Sequence, residues 1–412
     1  MTSQIVVMNQ GGISIASDTL TTNSEPHGEI KTIPSNSKIH QLESAHLVAV
    51  LHCGSVFLGN VQWETLVREW SLSLEKRLPH LIDYVKNFED WISKNHKLFC
   101  FNENALIGQT ICREFMDIFR FTDGPLITAL VAKTADPNSI SDNDFNDQIC
   151  NAIEEWMGNN FKGDPYGDIE LEEANKLVSS DEVDVYKDFL EHTKEYGEFE
   201  FSKKVQTLLN KFAAELIIRF VPTRDCVILN FVGYGSNDIM GQRAEATIRS
   251  FYAGALRLNV ETYGSNDPAD YPMCSPIAQH DAIGSFMWGI DSESWWTLRS
   301  VALDVFDEIV KLTDEQKQEF SDKFGEKSAE LLRNEFVQPL LNTINTLGLT
   351  GMTRFAEMMI RFQCLRSASI AGEATVGGFI ESLSISRDMG VDWHQRMSLE
   401  SHPLEHSSHV FA

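Results

Sequence analysis

Basic residues are scarce in this chain: 34 Lys and Arg stand against 60 Asp and Glu, a formal charge of -26. A surface of that sign repels phosphate backbones and anionic headgroups, which argues against nucleic acid or a membrane as the main partner. Seven cysteines, an odd number with no CxxC pair, suggest neither a disulfide framework nor a zinc ribbon, and a reducing, cytoplasmic setting is expected. No stretch approaches the apolar length of a membrane span, and no basic segment followed by a long apolar core opens the chain, so neither a span nor a signal peptide is expected. Phosphate-loop signatures are missing too. Gly233-Tyr234-Gly235 and the Gly377-Gly378 pair form neither GxGxxG nor GxxxxGK[ST], which excludes dinucleotide and P-loop chemistry. His394, His402, His406 and His409 lack carboxylate or cysteine spacing, so no metal and no cofactor are expected.

What is present reads as globular, with 42% hydrophobic and 23% charged residues. Gln4 to Met8 and Ile13 to Ala16 are β-rich runs separated by Asn9-Gln10-Gly11-Gly12, a hairpin signal. Lys38 to Leu42 and His46 to Leu51 read as a second strand pair. Helical spacing follows over Val56 to Arg77 and Leu81 to Arg120. Residues 121–220 turn polar and acidic between helical stretches and read as an inserted lobe. Strand character returns at Cys226 to Gly233 and Ala246 to Val260. Helices are expected from Ser275 to Arg366, with a charged amphipathic elaboration near 300–345, and a closing hairpin spans Thr375 to Trp393. Trp288, Trp295 and Trp296 read as packing residues. The organisation is therefore a first core segment over 1–120, the lobe over 121–220, a second core segment over 221–396 and a flexible tail over 397–412. No βαβ alternation occurs, which predicts two sheets between helical layers in an α+β fold.

The chemistry is concentrated at the start. Removal of Met1 makes Thr2 an N-terminal residue that carries a hydroxyl nucleophile and its own α-amine as general base. Such a site needs a cation, a carboxylate to orient it and N–H donors for an oxyanion. The hairpin brings Asp18 alongside Thr2, Lys38 opens the third strand, and Gly54 ends the fourth strand ahead of the expected helix, where free N–H groups favour an anion.

These residues resemble the proteasome β-subunit family and its bacterial two-ring relatives: Thr2, then GGISIASD, SKIHQL and HLVAVLHCGS before a helix, with GEATVGGFIESLSISRDMGVDW similar to the family's final strand pair. The resemblance implies a four-layer αββα N-terminal-nucleophile hydrolase sandwich, here with helical insertions, and a threonine peptidase. It makes Thr2 nucleophile and base, Asp18 the orienting carboxylate, Lys38 the cation with Lys31 as a rival, and Gly54 the oxyanion donor. The family's supporting aspartate and serine fall on Glu373 and Val376, keeping a carboxylate and losing a hydroxyl. A further supporting serine falls within SPIAQHDAIGSF, at Ser275 or on a non-serine residue. The implied partners are a peptide or unfolded protein, further copies in a ring, and an unfoldase. Two other readings stay open, a catalytically silent scaffold and a small-amide hydrolase that forms no ring.

Overall fold

The computed structural model describes residues 2–24, 30–34, 37–43, 45–58, 61–99, 111, 125–136, 140–161, 165–166, 170–179, 185–194, 197–219, 226–252, 255–369 and 375–397. The chain opens with a hairpin of β1 (Ser3–Asn9) and β2 (Gly12–Asp18). Its turn is closed by the Asn9 side chain, which accepts the Gly11 N–H at 2.8 Å. Gly12 sits at φ +153°, where a Cβ would lie 2.9 Å from the Ile385 carbonyl oxygen, so only glycine fits. A small hairpin of β3 (Leu20–Ser24) and β4 (Ile30–Pro34) leads to β5 (Ile39–Gln41) and β6 (Leu47–Cys53).

The expected helix from Val56 is shorter than its apolar spacing suggests. Phe57–Leu58 (β7) and Val61–Gln62 (β8) first form a two-stranded ribbon, and α1 runs only over Trp63–Leu72. Trp63, Leu66, Val67 and Trp70 supply its buried stripe at i, i+3, i+4 and i+7. Next comes α2 (Leu81–Asn95), followed by a single 3-10 turn at His96–Leu98. The rest of the helix expected to reach Arg120 lies, Phe99 and Ile111 apart, outside the described residues.

Among the described residues five helices follow: α3 (Pro125–Ala135), α4 (Asp142–Asn160), α5 (Leu171–Val178), α6 (Val185–Thr193) and α7 (Lys203–Ile218). They enclose a core of their own built on Phe145, Ile149, Ile153, Phe189, Leu209 and Phe212. Then come β9 (Val227–Tyr234), β10 (Gln242–Tyr252), β11 (Ala255–Tyr263) and β12 (Met273–Ala278). β12 corrects the expectation of helix from Ser275: the segment pairs with β1, Ser275 opposite Val6. Its Pro276 has no N–H to give, which an edge strand tolerates and a helix interior does not.

The remaining helices are α8 (Asp281–Trp288), α9 (Ser292–Val310), α10 (Asp314–Leu332), a π turn at Arg333–Val337, α11 (Gln338–Thr346) and α12 (Leu349–Ser369). The chain closes with β13 (Ile380–Ser386) and β14 (Gly390–Gln395). Beyond Met397 the expected tail lies outside the described residues.

The result is a mixed α+β fold with two five-stranded antiparallel sheets, ordered β12-β1-β2-β13-β14 and β11-β10-β9-β6-β5. Strand alternation assigns each face. Val6, Met8, Ile13, Ile15 and Leu383 pack against Ala49, Leu51 and Val232 of the other sheet. Ile5, Val7 and Ala16 point the opposite way, onto Ile283 of α8 and Met352, Ala356 and Ile360 of α12. On the second sheet, Val48, Val50 and Phe231 meet Trp63, Trp70 and Phe88 of α1 and α2. Both faces of the central strands are thus apolar, and each fully buried side chain of this size contributes roughly 1.5–3 kcal/mol.

Trp288 and Trp296 do not pack inside as expected: they are 40% and 58% exposed. No residue of α9 is buried, because this helix rests on α10 outside the two sheets. Among the described residues, no helix is long and apolar enough to cross a membrane.

Candidate functional site

The hairpin register aligns Gln4 with Ser17, which sets the beginning of β1 beside the end of β2. Thr2 is 7% exposed there, and its carbonyl accepts the Gln279 N–H at 2.9 Å. Asp18 is fully buried. Its Oδ1 accepts the Ser3 N–H at 2.9 Å and Lys38 Nζ at 2.7 Å, while Oδ2 accepts the Gly377 N–H at 3.2 Å. The Lys38 ammonium, 3% exposed, also donates to the Leu20 carbonyl at 2.7 Å. One carboxylate therefore ties together the residue after Thr2, the lysine ahead of β5 and the glycine pair ahead of β13.

Burial lowers the Lys38 pKa, and the charge and hydrogen bond of Asp18 pull part of that back. The sequence-predicted residues Asp18 and Lys38 thus pair directly, and Asp18 also holds Ser3, the residue after Thr2. Lys31, the rival cation, lies on β4 opposite Asn23, and its side chain lies outside the described residues.

Gly54 differs from expectation in its setting. It follows β6 but does not start a helix, since β7 and β8 intervene before α1. Its φ is +99°, and a Cβ would meet the Cys226 carbonyl oxygen at 2.7 Å, so close approach to the neighbouring strand explains the glycine. Helix-dipole assistance at Gly54 is accordingly withdrawn. Glu373 lies outside the described residues, and Val376 is buried. Ser275 lies within β12 and not at a helix start.

Four residues escaped the sequence reading. Gln279 reaches Thr2 through its backbone, and its side-chain Oε1 accepts the Thr375 hydroxyl at 3.0 Å. Ser367 Oγ lies 3.3 Å from Thr375 Oγ1 and accepts the Thr375 N–H at 3.1 Å. Gly377 contributes the N–H on Asp18. Thr375, one residue before Val376, carries a hydroxyl that donates to Gln279, and the Thr375-Val376-Gly377-Gly378 string was the available signal. Ala278, just before Gln279, holds φ +60° without being glycine, a backbone state costing about 1–3 kcal/mol that concentrates at functional sites.

Beneath this cluster the space between the sheets is polar. Gln4 Nε2 donates to the Lys38 and His52 carbonyls at 3.4 and 3.0 Å. His40 Nε2 and His52 Nδ1 lie 2.8 Å apart with their rings stacked. Burial lowers the His40 pKa to about 4. Burial, then the charges of His40 and Lys38, hold His52 well below its ordinary value. Glu381, fully buried, accepts the Ser37 hydroxyl at 2.7 Å, and burial raises its pKa. Among the described residues no group of three or more His, Cys, Asp or Glu forms a metal site. His394 instead meets the Ser384 hydroxyl at 2.9 Å, while His402, His406 and His409 lie outside the described residues.

No family model matches the chain, and no curated protein matches it. Among solved structures the chain is similar to Anbu (ancestral beta-subunit) from Yersinia bercovieri, at 10% identity over 98% of this chain and 89% of that chain, with a TM-score of 0.29.

Proposed function

We propose that the chain is a proteasome-like threonine peptidase with the four-layer N-terminal-nucleophile architecture, acting through Thr2 after removal of Met1. The observation that carries this reading is the buried Lys38–Asp18 pair at 2.7 Å, whose carboxylate also grips the residue next to Thr2. A lysine and an aspartate buried together at the start of a strand need an explanation, because such pairs seldom improve stability over apolar residues. Activation of an adjacent amine and hydroxyl supplies one. In the reaction, the Thr2 hydroxyl attacks an amide carbonyl and its α-amine takes the proton. The amine then delivers that proton to the leaving nitrogen, and water releases the acyl group from the threonine oxygen. The oxyanion donor in this reading is the Gly54 N–H, presented by a positive-φ loop. A peptide or unfolded protein is the substrate, and assembly into a ring fed by an unfoldase is the corresponding cellular arrangement.

A fluorogenic peptide amide tests the proposal. Turnover by the Met1-less chain, abolished by Thr2→Ala without change in melting temperature, is the expected result. Equal behaviour of the two proteins would favour a catalytically silent scaffold.

A further inference from the structure

Two carboxylates are buried one register step apart on paired strands: Asp18 on β2 stands opposite Ile380, and Glu381 on β13 stands opposite Ser17. Asp18 has the Lys38 ammonium at 2.7 Å. Glu381 forms no ion pair among the described residues. The charge that favours its ionised form is that of Arg396, an exposed residue just past β14, and Ser17 across from it on β2 is neutral. A carboxyl withdrawn from water without an ion pair takes up a proton rather than stay charged, and burial raises the Glu381 pKa accordingly.

The hydrogen bonds around Glu381 give the same answer by counting protons. Ser37 Oγ lies 2.7 Å from Glu381 Oε2 and 3.0 Å from the Ile39 carbonyl oxygen, yet a serine hydroxyl carries a single proton. With Glu381 as a carboxylate, that proton goes to Oε2 and the Ile39 oxygen receives none from Ser37. With Glu381 as a carboxylic acid, Oε2–H donates to Ser37 Oγ and Ser37 donates to Ile39, so both contacts are hydrogen bonds at once. Oε1 is an acceptor in either form and takes the Met397 N–H at 3.1 Å. The Lys38 N–H also bonds to Glu381.

These contacts bear on the cation of the candidate site, because Lys38 directly follows Ser37. The Lys38 carbonyl takes the His52 N–H at 3.1 Å and Gln4 Nε2 at 3.4 Å, which fixes its far side. Glu381 fixes the near side, through Ser37 and the Lys38 N–H. A neutral acid makes these bonds without setting a second negative charge beside Asp18.

We propose, resting on the reading of Lys38 as the site's cation, that Glu381 is a positioning residue kept as a neutral carboxylic acid, which holds the Ser37–Lys38 segment so that the ammonium reaches Asp18.

Glu381→Gln, Glu381→Leu and Ser37→Ala test this. Glutamine keeps a donor for Ser37 and an acceptor for Met397, whereas leucine keeps only the bulk. Infrared difference spectra of the intact chain at about pH 6, above the ordinary carboxyl range, should show a protonated-carboxyl C=O band that Glu381→Gln removes. Absence of that difference overturns the inference. Labelling with acetic anhydride, read at Lys38 by mass spectrometry, needs no turnover. Lys38 should stay protected in Glu381→Gln and react about tenfold faster in Glu381→Leu and Ser37→Ala. On a fluorogenic peptide amide, Glu381→Gln should keep the wild-type kcat, while the other two variants lose about 10–100-fold in kcat with KM little changed. Equal labelling of Lys38 in all four chains, or a Glu381→Gln that behaves as Glu381→Leu does, overturns the inference. The expected band and labelling pattern with no turnover by any chain, wild type included, leaves the role of Glu381 standing and overturns the reading of Thr2 as nucleophile.

Discussion

Lys38 Nζ and Asp18 Oδ1 lie 2.7 Å apart, both side chains almost fully withdrawn from water. Coulomb attraction at that distance is strong, yet each charge loses hydration worth several kcal/mol, so the pair is close to neutral for stability. The two partners are not equivalent. Asp18 keeps two backbone N–H donors if Lys38 is lost, whereas Lys38 without Asp18 keeps only the Leu20 carbonyl.

Asp18→Ala is therefore expected to destabilise by about 3–5 kcal/mol, because it strands a buried ammonium. Lys38→Met should cost less while abolishing turnover as thoroughly. Urea unfolding of the two variants alongside a fluorogenic assay checks this. Equal destabilisation by both, or retained activity in Lys38→Met, contradicts the assignment.

Thr375 is expected to act as a positioning residue through Gln279. Thr375→Val removes the 3.0 Å bond to Gln279 Oε1 at nearly constant volume. Misplacement of the Thr2 segment should lower kcat by about 10–100-fold with KM little changed. Thr375→Ser should restore most of it, since the donor returns. A change in KM alone would point to substrate binding instead.

The His40 and His52 pair predicts acid sensitivity. Both folded pKa values lie below the ordinary 6.5, with His40 at about 4, so between these values the unfolded chain takes up protons that the folded chain refuses. Stability should therefore be complete above pH 6.5 and fall as the pH drops toward 4, by on the order of 3 kcal/mol for His40 at 1.36 kcal/mol per unit. Glu381 works in the opposite sense. Its raised pKa means that the folded chain holds a proton which the unfolded chain releases above pH 4.5, so its contribution fades as the pH rises. Denaturant melts at pH 5 and 7 for wild type and for the His40→Leu, His52→Leu double variant separate the two. The double variant should show the flatter profile, and an unchanged slope would contradict the buried-histidine account.

Gly233→Ala should be among the most damaging single changes. Gly233 has φ +152°, and an added Cβ would fall 2.0 Å from the Leu47 carbonyl oxygen, inside the β6–β9 ladder. A shift of two paired strands is required, and a loss of more than about 4 kcal/mol is expected by thermal melt. A near-normal melting temperature would show that the ladder yields more readily than its geometry implies.

The β1–β2 hairpin was legible because Asn9-Gln10-Gly11-Gly12 between two alternating apolar runs admits few other conformations. Asp18 and Lys38 followed, since strand pairing converts sequence distance into neighbourhood. β12 was hidden: Pro276 within Met273–Ala278 weakens a strand signal, and only an edge position beside β1 makes it acceptable. The β7–β8 ribbon was lost inside a helical apolar period that begins in earnest at Trp63. The bond between Gln279 and Thr375 was beyond sequence reasoning, because it depends on two segments far apart in the chain meeting.

The most direct test is intact-mass analysis of the chain, prepared with no residue added ahead of Met1, before and after exposure to a peptide epoxyketone. That reagent closes its ring only on a residue offering both a free α-amine and a hydroxyl. The account predicts a chain lacking Met1 that gains a single adduct at Thr2, and no adduct on Thr2→Ala or Lys38→Met. A chain that keeps Met1, or a processed chain that stays unmodified, would contradict it.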